Sequence, residues 1–143
     1  MFSKTCEYAI RASIFIASQS YQNKRVTIKD IAEKINSPKS FTAKILQILA
    51  KNNIVHSIQG IGGGFEIPKN TISKINLAQI VTAIDGNEVF TSCVLGINHC
   101  SEAHPCPLYK KFNNIRKELA AMLKNTNLEE LALNIKSGDC FLK

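Results

Sequence analysis

Three cysteines, Cys93, Cys100 and Cys106, fall within one stretch of fourteen residues that also holds His99 and His104. Thiolates are soft ligands suited to iron-sulfur clusters, zinc or Cu(I), and an irregular segment can converge three sulfurs on one centre where a helix or strand could not. Gaps of six and then five residues lack the tight Cys-x2-4-Cys pairs of structural zinc. Three thiolates and a histidine would still hold that ion, and thiol redox chemistry is a third reading. Cys6 and Cys140 stand apart: Cys6 reads as a small buried thiol on a helix, and Cys140 has no assigned role. A cysteine-dependent enzyme using Cys106 with His104 has no orienting acid nearby, so the chain is read as a non-enzyme.

A second group of residues is suited to a polyanion. Residues 1–60 hold nine Lys and Arg against three acids, a balance of +6, whereas residues 61–143 hold nine against eight, a balance of +1. Most of the net charge of +7 therefore sits in the first part of the chain, as in a nucleic-acid-binding module joined to a neutral one. Within it, Lys39, Ser40, Thr42 and Lys44 open one helix, with Lys51 near its end. Ser40 and Thr42 offer hydroxyls to base edges or phosphate, while Lys39, Lys44 and Lys51 suit phosphates. Gln59, Gly60 and Gly62 belong to a glycine-dense segment whose backbone can approach a duplex without Cβ clashes.

The elements that position these groups follow from periodicity. Tyr8, Ala9, Ala12, Phe15 and Ile16 recur at helical spacing from Ser3 to about Ser20, with Ile10, Ile14 and Ala17 widening the stripe, so this helix is buried on much of its circumference. Thr27 and Asp30 make a capping-box-like pair before Ile28, Ile31, Ala32 and Ile35. Asn36-Ser37-Pro38 supplies a turn, a cap and a proline at the first helical position. Phe41, Ile45, Ile48 and Leu49 then mark the buried face of a helix ending near Asn52-Asn53. The pair reads as a helix-turn-helix. Ile54–Ile58 and Phe65–Ile67, joined by Gln59–Gly64, form a hairpin directly after it, which makes the hairpin the wing of a winged helix. A phosphate-cradling loop is excluded there, because Phe65 stands where a dinucleotide fingerprint needs glycine and no Gly-Lys-Ser/Thr follows.

Beyond the wing, Asn76 caps a helix carrying Leu77, Ile80, Val81 and Ile84, and Gly86 stops it. Asn87 to Cys106 has no clear period. From Pro107 to Lys124, Leu108, Phe112, Ile115, Leu119 and Met122 form a heptad-like seam able to pair with its own copy, and a short helix from Asn127 precedes a tail at Gly138. The fold expected is mainly α with a small β-hairpin wing: a winged helix-turn-helix domain over residues 1–75, then a cysteine loop and a long dimerisation helix over residues 76–143. Apolar residues make up 45% of the chain and charged residues 20%, enough to bury a core. No apolar run approaches the ~20 residues of a membrane span, and Glu7 and Arg11 interrupt the N-terminal stretch, so a cytoplasmic protein away from membranes is expected.

Taken together, Tyr8-Ala9-Ile10-Arg11-Ala12, Ile31-Ala32-Glu33, the wing Ser57 to Phe65 and the cysteine triplet before a long helix resemble the IscR/NsrR superfamily of bacterial winged-helix regulators, often called Rrf-type. The resemblance spans nearly the whole chain. It implies a transcriptional regulator, in a repressor's role, acting as a homodimer on double-stranded DNA, with a 2Fe-2S or 4Fe-4S cluster that alters DNA affinity. It also implies a fourth ligand. Some nitric-oxide-sensing relatives use an acid on the first helix of the partner subunit, and Glu7 occupies that position; others use a histidine three residues after the last cysteine, where this chain has Tyr109. The family's usual wing arginine is Gln59 here, which weakens readout of a narrow minor groove, and Ala43 replaces the acid or amide that many relatives present to bases. The rival reading keeps the winged helix without a cluster, the cysteines serving as thiol redox switches or the protein answering to a metabolic partner protein.

Overall fold

The computed structural model describes residues 1–142. Its first helix, α1 (Lys4–Tyr21), is capped by Ser3, whose hydroxyl accepts from the Cys6 amide at 3.0 Å. Small side chains let other helices approach α1 closely: Ala9, Ala12, Ser13 and Ala17 are all fully buried. The helix is enclosed on most sides, as its broad apolar stripe predicts.

Both Thr27–Asp30 bonds of the expected box form at the start of α2 (Ile28–Ile35), and Asn36 ends that helix in the left-handed region at φ 53°. The next start differs from expectation. Pro38 is itself the cap of α3 (Lys39–Lys51), and no side chain caps that end. Ser37 is not a cap, and its buried hydroxyl has no partner among the described residues. The buried stripe of α3 is rotated from the expected one to Thr42, Ile45, Leu46 and Leu49, while Phe41 and Ile48 are half-buried.

The hairpin pairs β1 (His56–Ile58) with β2 (Gly64–Glu66) in antiparallel register, Ser57 opposite Phe65. Val26 bridges the other edge of β2 by exchanging both backbone bonds with Phe65, at 3.1 and 2.8 Å. The buried Ser20 hydroxyl accepts from the Ile67 amide at 3.0 Å, fastening the end of the wing to α1. A four-residue helix, α4 (Lys69–Ile72), leads to α5 (Leu77–Asp85), whose Asn76–Gln79 capping box is complete.

After α5 come a short α6 (Glu88–Thr91), an irregular segment, α7 (Tyr109–Asn125) and α8 (Leu128–Ser137). The α7 helix begins two residues later than periodicity indicates, with Leu108 outside its first turn. α8 folds back onto α1: Leu128 and Ala132 join the main core, and the Tyr21 hydroxyl donates to Glu129 at 2.9 Å. The expected seam on α7 is split. Leu119 packs inward beside Cys6, Val81 and Leu123, whereas Ile115 and Met122 remain 52% and 49% exposed.

Candidate metal centre and nucleic-acid interface

The cysteine segment turns back on itself. Gly96 adopts φ 67° and donates its amide to the Cys93 carbonyl at 3.0 Å, and His99 adopts the left-handed φ 64° just before Cys100. Ser101 and His104 exchange two backbone bonds, closing a tight loop that carries the chain from Cys100 to Cys106. The Sγ atoms of Cys93, Cys100 and Cys106 all lie within 4.8 Å of one another, and the Cys93–Cys106 pair is 3.9 Å apart. All three are free and half-buried. Neither His99 nor His104 is a member of this group.

Backbone amides tune the sulfurs. The Ile97 amide, helped by Leu95 and the neighbouring thiols, outweighs desolvation and brings the Cys93 thiol down to about 7. At Cys100 the Cys106 amide pulls downward, but desolvation and the other two thiols outweigh it and the shift is upward. Three converging sulfurs, one of them readily ionised and served by N–H donors, form a donor set that fits an iron-sulfur cluster or another thiophilic metal. The segment is pinned to α7 by Arg116, whose Nη1 donates to the Ser92 carbonyl at 2.6 Å, next to Cys93. Sequence inspection passes over Arg116, because its role depends on a carbonyl 24 residues away.

Glu7 lies elsewhere. It is exposed on the first turn of α1, paired with Lys4 at 3.0 Å, and is not among the residues grouped with its own chain's sulfurs. Its neighbours connect that end of α1 to the helix-turn-helix. The Tyr8 ring meets the α3 residue Phe41 edge-on at a centroid distance of 5.7 Å, and Arg11 stacks 4.7 Å over Tyr8 while donating to the Ile35 carbonyl at the end of α2. On the other side of Glu7, Cys6 is fully buried, and burial and then Asp85 push its thiol up to about 12. That value describes an inert packing group.

Lys39, Ser40, Lys44 and Lys51 are all exposed on α3. Lys39, Ser40 and Ala43 share a cleft of about 690 Å³ with Thr27, Lys29, Ser57, Gln59 and Gly60. The cleft thus joins the start of α3 to the start of α2 and to the wing. Lys29 and Ser57 were missed by sequence reasoning as members of this cleft; Lys29 entered only as part of the basic balance of residues 1–60. Gly62 lies on the tip beyond the cleft. Thr42 has to be withdrawn from the DNA-facing set: it is fully buried, and its hydroxyl donates to the Pro38 carbonyl at 2.9 Å. A larger groove of about 1180 Å³ between α1, α2 and the wing sets Lys24, Arg25, Lys34 and Lys69 against Asp30, Glu33 and Glu66, a mixture with little net pull on a polyanion.

Comparison with known proteins identifies the family and the fold. The profile of the Rrf2 family, described as an iron-dependent transcriptional regulator, matches residues 2–134. A protein of Aquifex aeolicus described as an HTH-type transcriptional regulator is 28% identical over 143 residues, covering 99% of this chain and 96% of that protein. The HTH-type transcriptional regulator IscR of Yersinia pseudotuberculosis is 29% identical over 127 residues, covering 89% of this chain and 76% of that one. Among solved structures, the global cysteine regulator CymR of B. subtilis superposes with a TM-score of 0.75 at 20% identity, covering 92% and 95% of the two chains. IscR of T. potens gives 0.75 at 16%, covering 99% and 92%. These two likenesses establish the mainly helical winged-helix fold.

Proposed function

The chain belongs to the Rrf2 family of transcriptional regulators, and from that premise we propose that it is a cytoplasmic repressor whose grip on its operator is set by an iron-sulfur cluster in a site shared by two subunits. Convergence of the Cys93, Cys100 and Cys106 sulfurs within 4.8 Å is the observation that carries the reading. The fourth ligand proposed is Glu7 of the second chain, the position at which the resembled nitric-oxide-sensing relatives carry an acid; here it is exposed and is not grouped with its own chain's sulfurs. A homodimer is supported by the half-exposed apolar side chains Ile115 and Met122 on α7, with Leu133 on α8 at 40% exposure. No helix among the described residues is long and apolar enough to cross a membrane.

On the duplex, Ser40 is assigned to base edges and Lys39, Lys44 and Lys51 to phosphates, with Gln59, Gly60 and Gly62 of the wing against the adjoining groove. Two such surfaces would sit roughly 34 Å apart in successive major grooves. When bound, the cluster would supply an iron centre open to oxidants and nitric oxide. Glu7, a hard carboxylate among soft thiolates, would be the most weakly held of the four ligands. Tyr8 and Arg11, one turn from Glu7, connect this end of α1 to Phe41 of α3 and to the end of α2, so a change in what Glu7 holds would be felt by the helix-turn-helix. The difference in DNA affinity between the two arrangements is the regulatory free energy, ~1–3 kcal/mol for coupling of this kind.

Anaerobic purification with iron and sulfide analysis, followed by DNA binding before and after iron removal, tests the proposal. The expected protein is brown, holds iron and acid-labile sulfide, and changes operator affinity on stripping. A colourless protein with stoichiometric zinc contradicts it. One observation favours a second reading: Cys93 and Cys106, with sulfurs 3.9 Å apart, are placed to form a disulfide, losing two protons and two electrons to an oxidant such as peroxide. DNA binding that responds to peroxide and not to iron chelation would select that reading.

A further inference from the structure

The wing tip carries a side chain that DNA-binding chemistry of charge and hydrogen bonds does not account for. Ile61 is exposed beyond its extended-chain reference, at 109%, and it is the most exposed large apolar residue among those described. A lone exposed apolar side chain is common, but one fixed at the tip of a braced turn would gain from a partner surface that covers it.

The backbone fixes its direction. Gly63 donates its amide to the Gly60 carbonyl at 3.1 Å, and Gly62 holds φ 73°, which makes Gly60-Ile61-Gly62-Gly63 a turn of type II with Ile61 at its leading corner. A side chain at Gly62 would be strained at that φ, and a Cβ at Gly63 would collide with the Ile58 carbonyl. The turn therefore has one well-defined shape. From outside the hairpin, Arg25 ties it down, its Nη1 donating to the Gly62 carbonyl at 3.3 Å and its Nε pairing with Glu66 at 3.0 Å. The Val26–Phe65 bridge and the Ser20–Ile67 bond anchor the base of the same hairpin. Ile61 is thus the outermost point of a braced projection, and Gln59 and Gly60 at its foot line the cleft assigned to DNA.

Resting on the DNA-binding reading above, we propose that Ile61 is a specificity-determining residue that enters the minor groove as an apolar wedge. The occupant argued is the minor groove, because the tip projects from the cationic cleft and because its own residues bring no charge to compete for phosphate. An isoleucine there displaces groove water, packs on deoxyribose and favours a base step that unstacks readily. It adds affinity that does not come from counterion release, and the neutral Gln59 beside it leaves that apolar contact as the tip's main means of discrimination.

The test uses the full-length protein purified anaerobically and the duplex it selects from a random-sequence library, followed by fluorescence anisotropy across a salt series. Ile61→Ala is expected to weaken binding about tenfold, the scale of re-exposing one isoleucine, with the dependence on salt unchanged. Ile61→Leu should keep wild-type affinity, and Lys39→Ala should flatten the salt dependence instead. A 2-aminopurine placed at the base step under the tip should brighten with the wild-type chain and not with Ile61→Ala. Affinity of Ile61→Ala within twofold of wild type overturns the wedge while leaving DNA recognition standing. Equal losses in Ile61→Leu and Ile61→Ala overturn it too, because they assign the effect to the turn. Failure of the wild-type chain to select any duplex overturns the wedge together with the DNA-binding reading.

Discussion

The helix-turn-helix and the cysteine segment are built by opposite means. Around α1, α2 and α3 the chain closes a core of fully buried Ile16, Ile31, Leu46 and Leu49, caps α2 with both bonds of a box, and leaves Lys39, Ser40 and Lys44 on a firm surface. From Ser92 to Leu108 no side chain is fully buried; a few backbone turns and the Arg116–Ser92 bond hold three half-buried sulfurs together. Recognition of a duplex needs preorganised geometry, which packing supplies. Sensing needs a part whose arrangement a small ligand can change, and such parts come from the weakly held end of a structure.

Substitutions that separate the two regions would break or sharpen this contrast. The largest effect is expected in the core: Leu49→Ala should lower the unfolding free energy by about 2–5 kcal/mol in urea denaturation. Cys100→Ala should leave the unfolding free energy of the iron-free protein within about 0.5 kcal/mol of wild type in urea denaturation. It should nevertheless remove visible absorption and shift operator affinity by roughly 5- to 150-fold. A Cys100→Ala chain that unfolds as readily as Leu49→Ala would erase the distinction. Arg116→Ala should reduce metal affinity about 10- to 100-fold, as loss of a supporting hydrogen bond does, measured by chelator competition. Smaller again, Thr27→Ala should cost about 1 kcal/mol through the α2 cap.

The least effect is one of pH. The Thr27 amide, and then its hydroxyl, hold the Asp30 carboxyl below the usual carboxylate range. A lowered folded value gives stability that is complete above the unfolded value of ~3.9 and is lost as pH falls through the folded one. The stability gap between wild type and Asp30→Asn should therefore be steady near neutrality and close below about pH 4. A gap that widens on acidification would contradict the assignment.

What could be read from the chain follows the same division. The Thr27–Asp30 box, the Asn76 and Asn127 caps and the hairpin are local, and each is visible within a few residues. The wing and the cysteine triplet were legible in the chain itself, and the family resemblance rested on them. Thr42 was misread although its signal was present: Thr42, Ile45, Leu46 and Leu49 fall at i, i+3, i+4 and i+7, but a hydroxyl beside Lys39 and Ser40 looked outward-facing. Donation to the Pro38 carbonyl lets that hydroxyl be buried without loss. The split of the α7 seam and the docking of α8 on α1 could not be read locally, since both depend on partners far along the chain. Convergence of the three sulfurs depends on left-handed turns at Gly96 and His99, and histidine carries no strong signal for that conformation.

The claim that the site spans two chains is tested most directly by mixing variants. Cys100→Ala and Glu7→Ala chains, each purified anaerobically and low in iron and visible absorption as a homodimer, are combined under subunit exchange and reconstituted with iron and sulfide. In every mixed dimer the Glu7→Ala chain keeps its three cysteines and meets an intact Glu7 on its partner, so one complete site and its absorption should return. Mixed dimers as pale as the two parents would contradict a shared site and confine the metal chemistry to a single chain.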